Sequence, residues 1–159
     1  MEKSVEISEQ LQLYYSLWKE SNVIYEEWAK SQGLSSNSLL ILESFYYDGD
    51  QCTQKSISQK WMIPKQTINT ILKEFESKGY VEFHSLPEDK RNKLIQLTSK
   101  GREFTETIIS RLLEKEKYVV EQMGLENIKN MNNNLMLFIN FSGGKPWREQ
   151  MSWQMEGMR

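Results

Sequence analysis

Residues 53–101 read TQKSISQKWMIPKQTINTILKEFESKGYVEFHSLPEDKRNKLIQLTSKG, from Thr53 to Gly101. Thr53 suits the N-cap of a short helix that carries Ile57 and Trp61 four residues apart on one face. Met62 and Ile63 lead to Pro64, whose fixed φ and missing N–H suit the first position of a further helix. Beyond it, Ile68, Ile71, Leu72 and Phe75 repeat at the three- and four-residue steps of a buried face, and Lys78-Gly79 ends the run with a cation and a residue tolerant of the left-handed region. Residues 80–85 and 93–98 then alternate, with Val81, Phe83, Ile95 and Leu97 on one side, around a polar, turn-rich loop over 86–92. The order predicts a helix-turn-helix followed by a β-wing, an arrangement that places one helix in a DNA groove.

Outward from that stretch the chain reads as helix. Ile7, Leu11, Tyr14, Trp18, Tyr25 and Trp28 form one stripe that Gly33 closes, and Leu39, Leu42, Phe45 and Tyr46 form a second before the Asp48-Gly49-Asp50 turn. A long helix is expected from Thr98 to Gly124, carrying Phe104, Ile108, Leu112, Val119 and Val120. A last one carries Leu125, Ile128, Met131, Leu135, Phe138 and Ile139 and stops at Gly143-Gly144. The fold class expected is mainly α with a small β-hairpin wing.

Composition narrows the function. No apolar run is long enough to cross a bilayer, and the N-terminus lacks the basic-then-apolar order of a signal peptide, so a cytoplasmic protein without a membrane partner is expected. One cysteine and one histidine leave no cluster at metal-ligand spacing, and no cofactor is expected. With no Gly-rich phosphate loop and no nucleophile–base spacing, an enzyme is not expected either. The net charge of −2 hides an asymmetry: residues 51–102 hold ten Lys/Arg against five Asp/Glu, a local excess of +5 that leaves −7 elsewhere. The basic excess coincides with the motif expected to meet DNA.

On the outward face of the second motif helix stand Lys65, Gln66 and Thr67, with Asn69, Thr70 and Lys73 one turn on. Gln and Asn offer a donor and an acceptor to adenine, Lys donates to guanine or phosphate, and Thr bonds phosphate or touches a thymine methyl. A merely solvated helix face has the same polarity; its place between turn and wing favours DNA. Arg91 in the loop suits a narrow minor groove, Asp89 could hold its guanidinium, and Lys90 and Lys93 suit phosphates. A charged turn kept polar for solubility is the other reading.

The run Asp89-Lys90-Arg91-Asn92-Lys93-Leu94-Ile95-Gln96-Leu97-Thr98-Ser99-Lys100-Gly101 resembles the wing signature of the MarR family of winged helix-turn-helix regulators, in which Asp-x-Arg precedes a strand ending Leu-Thr-x-x-Gly. Thr53-Gln54, the stretch Pro64-Lys65-Gln66-Thr67-Ile68-Asn69, and Lys78-Gly79-Tyr80-Val81 are similar to the family's two helices and first wing strand. In helix order the resemblance covers about 11–141; its specific residues lie within 53–101. It implies an obligate homodimer on a pseudo-palindromic double-stranded DNA operator, with recognition helices about one DNA turn apart, roughly 34 Å. Residues 5–34 and 103–142 would be dimerisation helices, 35–102 the winged helix-turn-helix DNA-binding lobe and 143–159 a C-terminal tail, all in one domain over 1–159. The expected function is a sequence-specific repressor released by a small-molecule effector. The alternative is a dimeric ligand-binding or protein-interaction module of winged-helix fold without specific DNA binding.

The family's effectors are commonly small and phenolic, and lie between the dimer helices and the DNA-binding lobe. The resemblance thus points to Tyr14, Trp18, Tyr25, Phe45 and Tyr46, although core and interface packing would use the same aromatics. Cys52, just before a helix start, admits an oxidation-sensing reading beside that of an incidental small residue. Trp147, Met151, Trp153, Met155 and Met158 suit either docking on a partner subunit or an untethered terminus.

Overall fold

The computed structural model describes residues 2–85 and 93–143. Helix α1 (Glu2–Ser31) begins earlier than its apolar stripe, because residues 2–6 contain neither Gly nor Pro to interrupt it. It ends where Gly33 turns left-handed (φ +75°), with Gly33 N–H donating to Lys30 O and Leu34 N–H to Ala29 O. Ser35 caps α2 (Ser36–Asp48), its hydroxyl accepting from Ser38 N–H at 3.1 Å. A 3-10 turn over Gly49–Gln51 leads to α3 (Gln54–Trp61). There Thr53 and Ser56 form a reciprocal capping box, each side chain accepting the other's backbone N–H at 3.0 and 2.9 Å.

The turn between the two motif helices is Met62-Ile63-Pro64. Met62 is the described non-glycine residue with positive φ (56°), a left-handed stop to α3, and Ile63 drops into the core. Ser58 Oγ donates to Ile63 O at 2.8 Å and fixes the turn. Pro64 sits one place earlier than expected: it is the extended N-cap (ψ 136°), and α4 (Lys65–Ser77) starts at Lys65. Strands β1 (Val81–Ser85) and β2 (Lys93–Leu97) pair antiparallel with Val81 opposite Leu97 and Phe83 opposite Ile95. Both strands are one residue shorter than the alternation suggested. The chain before α3 adds an unexpected rung, Ile95 N–H donating to Cys52 O at 2.9 Å.

Thr98 caps α5 (Ser99–Met123), accepting from Gly101 N–H at 3.0 Å while donating to Gly79 O at 2.6 Å. A Cβ on Gly101 would overlap the Tyr80 carbonyl, so this position takes only glycine. Gly124 (φ +84°) separates α5 from α6 (Leu125–Phe141).

The core lies in the winged lobe. Leu39, Ile41, Leu42 and Phe45 of α2 meet Ile57, Ile68, Leu72, Phe75, Val81 and Ile95, with Ile108, Ile109 and Leu112 of α5 closing it from behind. Among the described residues, only Ala29 is buried in α1, and α6 buries none. Val5, Ile7, Leu11, Trp18, Leu135, Leu137 and Phe138 therefore stand exposed on the outer helices.

Candidate nucleic-acid interface

The amphipathic pattern of α4 divides as its spacing requires. Ile68, Ile71, Leu72 and Phe75 are buried, while Lys65, Gln66, Asn69, Thr70 and Lys73 are exposed and Thr67 is half-buried at the edge. Six of the sequence-predicted residues thus share one helix, with five pointing to solvent. Thr70 Oγ1 donates to Gln66 O at 3.1 Å, which leaves its lone pairs outward.

Lys93 opens β2 beside this face, its ammonium 5.9 Å from the centre of the Phe83 ring. Gln54, Asn69, Lys73, Glu76, Phe83, Lys93 and Ile95 line a shallow recess between α4 and the wing. Two of its polar members were missed by sequence reasoning. Gln54 donates from Nε2 to Lys65 O at 2.6 Å and so ties the start of α3 to the first turn of α4. Glu76 places a carboxylate within an otherwise basic groove. Asp89, Lys90 and Arg91, expected at the wing tip, lie outside the described residues, as does the tail from 144 onward.

Three cations of the basic excess are occupied within the lobe. Lys60, its side chain 5 % exposed, donates to both Asp48 oxygens at 2.9 and 3.0 Å. Lys78 pairs with Glu74, and Lys100 donates to Lys78 O at 2.8 Å, where it meets the C-terminal end of α4. His84 is exposed beside Glu82, 3.7 Å away. Of the other seven cations, Lys55 stands on α3, Lys65 and Lys73 on α4, Lys93 on the wing and Arg102 on the first turn of α5, and Lys90 and Arg91 lie outside the described residues.

The five aromatics expected at an effector site are distributed. Phe45 belongs to the core at 2 % exposure. Tyr14 packs on Phe138 of α6 with ring centres 4.9 Å apart, and Trp18 is 61 % exposed on the same end of α1. Tyr25 is three turns further along, roughly 16 Å from Tyr14 by helix rise. It donates to Glu116 Oε1 at 3.0 Å, and Lys115 sits 5.8 Å over its ring. Tyr46 stands edge-on to Tyr47 at 5.1 Å. Tyr25 thus reaches α5 and Tyr14 reaches α6, Phe45 lies inside, and Trp18 and Tyr46 are exposed on α1 and α2. Cys52 is buried, its thiol donating to Ser44 O at 3.4 Å, a setting that shields it from oxidants.

The MarR family model matches residues 32–92, from just before α2 through β1 to the residue before β2. The HTH-type transcriptional regulator YdgJ of Bacillus subtilis is 33% identical over 116 residues, covering 73% of this chain and 68% of that protein. The HTH-type transcriptional regulator Hpr of Bacillus licheniformis is 36% identical over 95 residues, or 58% of this chain and 44% of Hpr; the chain matches about half the length of such Hpr relatives. Among solved structures, a MarR family regulator from Neisseria meningitidis superposes with a TM-score of 0.73 at 23% identity, over 84% of this chain and 94% of that one. Staphylococcus aureus MepR, solved as a complex with DNA, gives 0.65 at 22% identity over 81% and 94%. At these identities the two structures speak for the fold.

Proposed function

The chain belongs to the MarR family of HTH-type transcriptional regulators, and from that premise we propose that it is a homodimeric, sequence-specific DNA-binding repressor released by a small aromatic effector. The observation that carries the reading is the outward face of α4. Lys65, Gln66, Asn69, Thr70 and Lys73 project from a helix whose opposite side is fixed in the core, so the face is held rigid against the groove it would enter. Gln66 and Asn69 supply base-edge contacts; Lys65, Lys73 and Lys93 supply phosphate contacts; Thr67 and Thr70 fill between them. Asp89, Lys90 and Arg91 extend the same reading to the minor groove. The MepR complex with DNA lends the reading support from the same fold.

The exposed apolar side chains of α1 and α6 support assembly with a second copy, since a patch of that extent calls for cover. Effector release is assigned to the seam of α1 and α5, where Tyr25 meets Glu116 and offers an aromatic wall, with Tyr46 exposed on α2 as a second aromatic candidate. Selection from a randomised double-stranded library tests the function directly. A recovered pseudo-palindrome is expected; uniform affinity for all sequences would favour a winged-helix module without specific DNA binding.

A further inference from the structure

We propose that the seam joining α1, α2 and α5 is a proton-responsive joint, in which Glu43 of α2 and Glu116 of α5 set how the DNA-binding lobe is carried on α5. Its consequence for DNA presupposes the regulator reading above; its existence does not.

Glu43 lies between Leu42 and Ser44, both buried, so its half-buried carboxylate is held by a helix that cannot slide outward without moving the core. Leu39, Ile41, Leu42 and Phe45 make α2 the spine of the winged lobe, and α2 packs directly on α5. Across the seam Glu116 accepts from the Tyr25 hydroxyl at 3.0 Å, which ties α1 to α5. Tyr47, one turn beyond Glu43 on α2, lies in the field of both carboxylates.

The neighbouring cations have other work. Lys60 of α3 holds both oxygens of Asp48, and Lys115 of α5 sits over the Tyr25 and Trp28 rings at 5.8 and 6.0 Å. Two acids therefore share a partly dry seam with incomplete compensation. Burial, and then the charge of Glu116, push the Glu43 carboxyl up to about 7 against an opposing pull from Lys60. Burial and the same two carboxylates raise the Tyr25 phenol to about 12, so it stays a hydrogen-bond donor throughout.

The consequence follows from charge. Below neutrality Glu43 is neutral and α2 rests on α5; above it, a second negative charge appears beside Glu116 and is relieved by α5 leaning away from α2 beyond Leu112, the last residue of α5 in the shared core. In a dimer that movement changes the separation of the two α4 helices, which a palindrome reads as affinity.

The test compares the full chain with Glu43→Gln, a shape-matched stand-in for the protonated acid, between pH 5.5 and 8.5 at fixed ionic strength. Thermal unfolding without DNA reads the seam. A carboxyl raised in the folded state stabilises fully below its unfolded value of 4.5, and that stability is lost as pH rises toward about 7. The variant should therefore melt above the parent across the whole range, by a margin that widens by about 3 °C from the acid end to the alkaline end.

Fluorescence anisotropy with a duplex selected from the randomised library reads the coupling. The ratio of the two dissociation constants should change by roughly fivefold or more across the range, the lower end of ordinary inter-site coupling, while any response of His84 is common to both chains and cancels. Glu116→Gln should shift the parent's step to lower pH. A melting difference that does not vary with pH, or a constant affinity ratio between chains that both bind specifically, overturns the joint. Absence of specific binding at every pH sinks the regulator reading instead, and the melting comparison then decides on the seam alone.

Discussion

Gly101 shows how one backbone position can be dictated by a neighbour far away in sequence. Thr98 closes the hairpin onto the end of α4 by donating to Gly79 O, and the first turn of α5 is thereby pressed against the Tyr80 carbonyl. A methyl at position 101 meets backbone, which cannot rotate aside. Gly101→Ala should cost about 3 kcal/mol, the upper end of overpacking penalties, and chemical denaturation would measure it. A loss under half that size would mean that α5 shifts freely. Met62 presents the opposite case. Its left-handed backbone costs an L-residue about 1–2 kcal/mol, and its side chain, 86% exposed, recovers little by packing. Met62→Gly should raise stability by about 0.5–1 kcal/mol after the greater freedom of unfolded glycine is subtracted, and a fall in the denaturation midpoint would contradict this account.

At the scale of elements, α4 divides by face into an apolar side held in the core and the polar side proposed to meet DNA. Lys73→Ala should weaken DNA binding on all sequences alike and flatten the salt dependence by about one unit, because a phosphate contact releases counterions without reading bases. Gln66→Ala should instead cost about 1–3 kcal/mol on the selected site and little on unrelated DNA. Titrations of both duplexes over a salt series separate the two, and identical behaviour of the variants would sink the division of labour. This face was legible in the sequence because a 3.6-residue period reports directly which side chains share a side. Pro64 was misplaced by one position because its fixed φ fits either side of a helix start. The rung between Cys52 and Ile95 was illegible, since a single backbone hydrogen bond leaves no periodic trace. Lys60, Lys78 and Lys100 inflated the basic excess, because counting charges does not reveal a lysine already held by Asp48, Glu74 or a helix end. Phe45 and Tyr25 looked alike as aromatics on helices; burial sends one to the core and leaves the other at a seam.

For the whole molecule, the distribution of burial is the strongest argument for a second copy. The core of the winged lobe is closed by Ile108, Ile109 and Leu112 of α5, yet among the described residues α1 buries Ala29 alone and α6 buries nothing, although both are rich in large apolar side chains. Isolated amphipathic helices of this kind gain most of their stability from covering an apolar face. Val5, Ile7, Leu11 and Trp18 on α1, and Leu135, Leu137, Phe138 and Phe141 on α6, have no such cover within the described residues. Tyr14 against Phe138 brings α1 and α6 together at one point, 4.9 Å between ring centres. A second copy meeting both helices would bury both sets at once, each apolar side chain contributing roughly 1.5–3 kcal/mol if fully covered. Light scattering should therefore find a dimer. Leu11→Asp with Leu135→Asp should dissociate it, because two carboxylates would be forced into an apolar interface. DNA affinity should fall with dissociation even though α4 and the wing are untouched, since a half-site contact loses the advantage of two linked binding events. A monomeric parent, or a monomeric double variant that binds the palindrome as tightly as the parent, would remove the dimer from the account and leave the winged lobe to bind alone.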